Sequence, residues 1–215
     1  MQINRTNYNP TFQGVKVQTL INKQNKVIDI YKLNSEDKTF IDRMLNIAKG
    51  QKFPQDDKVI GNSSSRIVYD NALKKAKTLS DKSHDKVLIA IEDGNKISGI
   101  INIGGIGDQY IQGLTSWSKN SLVRKGLVSG AMQEVMKNKE EGIVIKAKNL
   151  SKNLIQYFRN LGFHSSSDYR YKELAVEYED LNPCITQLGI KTNSTIKRHI
   201  ANKHVDMAEV LKLDE

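Results

Sequence analysis

The sequence predicts an α+β fold, a mostly antiparallel twisted sheet flanked by helices and holding one parallel strand pair. Two observations lead there. Segments rich in β-branched residues recur with hairpin-type connections, and amphipathic helices lie between them. One strand, helix, strand succession then interrupts the meander, which implies a single parallel crossover in an otherwise antiparallel sheet.

The elements follow in order. "VKVQTLI" and "VIDIYKL", separated by "NKQNK", form a hairpin from about residue 15 to 33. In "NSEDKTFIDRMLNIAKG", Ser35 is the expected N-cap, Phe40, Ile41, Met44, Leu45 and Ala48 make the apolar stripe, and Gly50 stops the helix. "SRIVYDNALKKAKTL" is a second amphipathic helix with Ser65 as its cap. "KVLIAIED" and "KISGIINI" pair around a turn at Gly94-Asn95, and "GGIGDQ" breaks the sheet or makes a bulge before "YIQGLTSWS". A polar turn in "SLVRKGLVSGAMQEVMKN" leads into a helix carrying Val128, Ala131, Met132 and Val135. "GIVIKAK" is a short buried strand. "LSKNLIQYFRN" is a helix facing inward through Leu154, Ile155, Phe158 and Leu161 and closed by Gly162, and "YKELAVEYE" is the last strand.

The expected organisation is an N-terminal arm over residues 1–14, one domain over 15–180 and a helical extension over 181–215. In the extension, "NSTIKRHIANKHVDMAEVLKL" places Ile196, Ile200, Met207 and Val210 or Leu211 on one side. That helix can pack on the domain, bridge a homodimer or stand free, with packing favoured.

Composition narrows the function classes. The 215 residues carry a net charge of +9, yet the lysines are dispersed, with no run of five or six like charges and no aromatic ladder, so nucleic-acid binding is disfavoured. A basic surface suits any polyanionic partner, including a nucleotide-like cofactor. No stretch approaches the roughly 18 apolar residues of a membrane span, and the first residues lack a signal-peptide layout; a soluble, cytoplasmic protein without a membrane partner is expected. Cys184 is the only cysteine, which excludes an internal disulfide and suits a small apolar side chain better than a reactive thiol. His84, His164, His199 and His204 lack metal-ligand spacing, so no metal is expected.

One stretch has the chemistry of an anion site. At a helix start several N–H groups lack intrahelical partners and the dipole favours negative charge. Residues 124–129 can thus cradle a diphosphate through their amides, Gly126 allowing close approach and Arg124 and Lys125 adding charge. An ordinary basic helix start is the competing reading.

The element order, with "VLIAIEDGNKISGIINI", "SWSKNSLVRKGLVSGAM" and "NLIQYFRNLGF", resembles the GCN5-related N-acetyltransferase (GNAT) family over residues 27–178. The resemblance implies acetyl-CoA held in a cleft where two parallel strands, here "YIQGLTSWS" and "GIVIKAK", splay apart, and acyl transfer by direct attack of a small-molecule or protein amine. It places Gly126 on the first glycine of the family's phosphate loop, with Val123 and Val128 at positions where the family has Gln or Arg and Gly or Ala. Cofactor contacts then fall on Arg124, Lys125, Gly126, Leu127, Val128 and Ser129, on Trp117 and Ser118 beside the backbone amides of the strand end, and on Asn149, Asn153 and Phe158. The family's general-acid tyrosine aligns with Phe158, leaving neighbouring Tyr157 as the candidate. Glu92 and Asp108 are the candidate bases. The alternative is a GNAT-like binding or interaction module without chemistry.

Overall fold

The computed structural model describes residues 12–21, 26–50, 53, 59–61, 64–80, 83–94, 96–147, 150–165 and 173–188. Most of the expected arm, Asn149, His199, His204 and the helix expected after residue 192 lie outside the described residues.

Seven strands stand side by side in chain order: β1 (Val15–Ile21), β2 (Val27–Lys32), β3 (Lys86–Glu92), β4 (Lys96–Gly104), β5 (Asp108–Ser116), β6 (Gly142–Lys146) and β7 (Glu173–Glu177). Every neighbouring pair is antiparallel except β5 with β6. The connection between those two is α3 (Ser121–Lys137), as a parallel crossover requires. α1 (Lys38–Gly50) and α2 (Ser65–Lys77) cover one face of the sheet, and α3, α4 (Lys152–Asn160) and α5 (Leu181–Gln187) cover the other.

β3 shows why the sheet sits at the centre. It is buried along its whole length, sending Val87, Ile89 and Ile91 to the α1–α2 core and Leu88 and Ala90 to the α3 core. Its turn into β4 lies at Asp93 and Gly94, with φ of 50° and 82°, two successive positive values that match the twist of a tight hairpin.

Several boundaries differ from the sequence expectation. Asn34, not Ser35, caps the first helical segment: its side chain accepts from Glu36 N, and Asp37 returns a bond to Asn34 N while also accepting from Gln13 N at 2.7 Å. Ser64 holds the cap position of α2, and Ser65 is its first residue. Phe12, inside the expected arm, packs on Tyr31 and Phe40. Residues 181–188, expected as part of an extension, fold as α5 and bury Leu181, Cys184 and Leu188 in the α3-side core. Burial, and then the charge of Asp180, push the Cys184 thiol up, so it behaves as packing.

α3 begins at Ser121, more than a turn before the glycine expected at its mouth. Gly126 and Gly130, one turn apart on one face, instead face the sheet. A Cβ on Gly126 would stand 2.4 Å from Leu20 Cδ1, and one on Gly130 3.1 Å from both Ile30 and Leu88. Polar contacts anchor the same contact: Gln18 Nε2 donates to Gly126 O at 2.7 Å and to Ser129 Oγ at 2.6 Å, and Lys32 Nζ meets the buried Glu134 carboxylate at 2.7 Å.

Gly126→Leu is therefore expected to destabilise the protein by about 1–3 kcal/mol through overpacking, measured as a lower urea midpoint with an unchanged m-value.

Candidate functional site

β5 and β6 pair only at Asp108 with Gly142, Gln109 with Ile143 and Tyr110 with Val144, although β5 runs on to Ser116 and β6 to Lys146. Past Tyr110 the two strands part. β5 changes course there: Ile103 faces Ile111 and Asn102 faces Gly113 on β4, leaving Gln112 as an extra, bulged residue. The bulge puts Ile111 and Leu114, three residues apart, into the same core. The Gln112 side chain accepts from Lys75 Nζ at 2.6 Å and from Asn102 Nδ2 at 3.3 Å, and donates to Gly104 O at 3.2 Å.

Beyond the bulge, the edge of β5 faces the opening. The N–H and C=O of Leu114 point away from β4, and Ile60 takes both, at 3.0 and 2.9 Å. Strand alternation gives Ser116 the same outward orientation.

The start of α3 closes the far side. Ser118 Oγ accepts from Asn120 N at 3.0 Å, Asn120 Oδ1 from Leu122 N at 3.1 Å, and Asn120 O from Val123 N at 3.1 Å. The helix start thus satisfies the donors of Asn120, Leu122 and Val123 itself. The expected cradle of amides over residues 124–129 is corrected accordingly: these residues lie within the helix, where N–H groups bond back to i−4 carbonyls. Gly126, Leu127, Val128 and Ser129 are buried, Gly126, Leu127 and Ser129 against strand residues Leu20, Gly99 and Gln18. Lys125 reaches the other way, its Nζ donating to Leu188 O at 3.1 Å and tying α5 to α3.

Arg124 does face the opening. Its Nη2 donates to Ser116 Oγ at 3.3 Å, and Asn120 lies one turn earlier on the same helix face. Tyr157 approaches from α4. Burial pushes its phenol up to about 12, with the Arg124 charge acting in the opposite direction. Tyr157 Oη and Asn120 Nδ2 are both buried without a hydrogen-bond partner among the described residues. Buried polar atoms are normally paired, so two unmatched ones at one opening mark a place where a ligand's polar groups can be received.

The remaining predicted residues do not join them. Phe158 is fully buried against Phe163, at 5.1 Å between ring centroids, and is core. Trp117 turns to the α2 face, where its indole donates to Ile97 O at 2.9 Å and its ring packs on Tyr69 and Phe53. Asn153 is exposed on the first turn of α4. Asp108 begins β5, and at about 3.4 Å per residue it lies roughly 27 Å from Ser116. It lines a cavity of 540 Å³ with Lys139, Glu140, Glu141, Glu177 and Glu179, at the wrong end of the strand to act as a base. Glu92 is at the right end, buried and accepting from Ser98 Oγ at 2.5 Å, but two strand spacings, about 10 Å, from β5. Ser116 and Asn120 escaped the sequence reading; Asn120 carried a signal, an asparagine directly before a helical run. Among the described residues, no group of three or more His, Cys, Asp or Glu side chains is placed to hold a metal ion, and no helix is long and apolar enough to cross a membrane.

No protein-family model and no curated protein matches the chain. Solved structures do. The GNAT domain of S. lividans PAT is 11% identical with a TM-score of 0.54, over 74% of this chain and 94% of that one. An uncharacterized protein (bh2621) from Bacillus halodurans is 13% identical with a TM-score of 0.51, over 81% and 96%. A mutant of the AtaT toxin, solved with the C-terminus of the antitoxin AtaR, is 14% identical with a TM-score of 0.50, over 74% and 98%. At such identities the fold is what is shared. A sheet antiparallel but for one pair, opening past three residue pairs beside the start of the crossover helix, is the fold of the GCN5-related N-acetyltransferases.

Proposed function

We propose that this chain is an acetyl-CoA-dependent N-acetyltransferase that acylates an amine by direct attack. The observation that supports it best is the convergence of Ser116, Asn120, Arg124 and Tyr157 on the opening between β5 and β6, with two buried polar atoms there unmatched.

Acetyl-CoA fits this opening unevenly. The outward peptide group of Ser116, next to the pair Leu114 makes with Ile60, suits an amide-bearing chain, and Arg124 supplies positive charge beside it. The helix-mouth amides, satisfied by Ser118 and Asn120, contribute less than a glycine loop does. Ser116, Asn120, Arg124 and Tyr157 would hold the group. Bound there, it supplies an acyl carbonyl activated as a thioester. The chain's own part is to orient and to stabilise charge. The outward N–H of Ser116 is a donor for an oxygen that gains negative charge, whereas the Leu114 N–H is already held by Ile60 O. Tyr157 keeps its proton at Oη throughout the neutral range, so it donates there rather than accepts. Glu92 can accept a proton only across an intervening water, given its distance from β5.

A second reading, a GNAT-fold binding module without chemistry, draws support from the Ile60–Leu114 pairing, which occupies the outward groups of β5 nearest the bulge.

Thermal denaturation with acetyl-CoA separates the two. At 100 times its dissociation constant the ligand should add about 2.7 kcal/mol of stability, and Arg124→Glu should remove the shift; no shift at millimolar acetyl-CoA favours the module. Tyr157→Phe, by deleting an unmatched buried hydroxyl, should raise the stability of the ligand-free protein by about 1 kcal/mol while weakening acetyl-CoA binding about tenfold in the same assay. Because folding raises the Tyr157 pKa from 10.0 to about 12, its contribution to stability is complete below pH 10 and lost as pH rises to 12. The alkaline limb of a pH–stability profile should accordingly become shallower in Tyr157→Phe without vanishing, since the Tyr31 phenol is raised by burial as well.

A further inference from the structure

α2 begins without the side-chain caps that close α3 and α4. Asn120 and Ser151 bond the first turns of those helices, whereas Ser64 makes no side-chain cap bond. Val68 N reaches Ser64 O at 3.1 Å, but the N–H groups of Ser65, Arg66 and Ile67 find no partner among the described residues. No acidic residue lies in that turn to complement the dipole, and Arg66 is paired with Asp70, one turn on, at 3.9 Å.

A second observation falls at the same place. Ser65 Oγ is buried and has no hydrogen-bond partner among the described residues, and the residue is 3% exposed. Cα–Cβ bonds in a helix tilt toward its N-terminus, so at the first position this hydroxyl is aimed at the unfilled donors. Thr115 Oγ1 on β5 is equally unmatched and wholly buried. Thr115 points opposite to Leu114, onto the face that α2 covers. It stands between Gly113, which Val68 packs over, and Trp117, whose ring is 5.3 Å from that of Tyr69. Val68 and Tyr69 are one turn from Ser65 on its own helix face. Both hydroxyls therefore lie where the first turns of α2 cover β5, and both are buried and unmatched among the described residues.

We infer that this turn of α2, with Thr115 beneath it, binds the carboxylate of the acceptor, which makes the acceptor an amino-acid-like amine. Neutral N–H and O–H donors suit a monoanion better than a phosphate dianion. Thr115 adjoins Leu114, about 3.8 Å away between Cα atoms, so an amine held close to such a carboxylate lies next to the strand edge where acyl transfer is proposed. The inference rests on that proposed function.

The test uses the full chain without coenzyme, heated with N-acetylglycine, with its neutral counterpart N-acetylglycinamide, or with inorganic phosphate. A saturable stabilisation by N-acetylglycine alone is expected. Ser65→Asp, which supplies its own carboxylate to the helix start, should raise the melting temperature of the free protein and abolish that response. Thr115→Val should weaken the response about tenfold, as loss of a hydrogen bond to a charged group does, with no loss of stability in the free protein; it decides the matter if Ser65→Asp does not fold. Equal responses to acid and amide, a response to phosphate alone, no response at millimolar N-acetylglycine, or one that survives both substitutions would overturn the assignment. Acetyl-CoA titrated into the same samples keeps the two questions apart, because a coenzyme shift that persists leaves acyl transfer standing while the carboxylate site fails.

Discussion

The extra residue in β5 governs the mouth of this protein. A regular strand would carry its alternation and its pairing through to Ser116. With Gln112 inserted, the strand bends and the side-chain parity resets, so that pairing with β4 continues to Ser116 while pairing with β6 has ended at Tyr110. The bulge is held, not tolerated. α2 grips it through Lys75, β4 through Asn102, and the turn before β5 through Gly104. The opening between β5 and β6, the outward edge of Leu114 and Ser116, and the position of Thr115 under α2 all depend on that one insertion.

Against this, α3 acts as a rigid bar laid across the sheet. Its glycines bring it close to β1, β2 and β3, and the Lys32–Glu134 pair locks it in register. A bar fixed so tightly sets its first turn in a constant place relative to β5, which lets Arg124 reach Ser116. The same tightness removes Gly126 from any ligand. A glycine serves close approach in both roles, and here the backbone approaches Leu20, not a diphosphate.

That ambiguity explains what was and was not legible in the sequence. β3 and β4 were plain, since β-branched alternation and a glycine turn leave few alternatives, and the single crossover followed from element order. The glycine in "RKG" could not be placed by pattern, because the local signature of a phosphate loop and of a helix pressed on a sheet is identical. Tyr157 and Phe158 are adjacent in sequence but about 100° apart around α4; counting from the Leu-Gly-Phe ending found the right turn and the wrong face. Trp117 came to the cofactor side through the resemblance alone, and its true side depends on a bulge at Gln112 that resets the parity of every later residue in the strand. Asp108 lay in the correct strand at its far end. The unmatched hydroxyls of Ser65 and Thr115 had no sequence signature, because what distinguishes them is the absence of neighbours.

Ile60 hydrogen-bonds β5 through main-chain atoms, and its side chain is buried in the α3-side core. The hydrogen bonds themselves are nearly blind to residue identity, since proline alone deletes the donor, while the buried side chain asks for an apolar residue of similar size. Drift among apolar residues therefore erodes the contact slowly, whereas a change in the spacing of the surrounding chain would shift the registration at once. Among proteins of this architecture, the length of the connection between the first two helices should vary more consequentially than its composition.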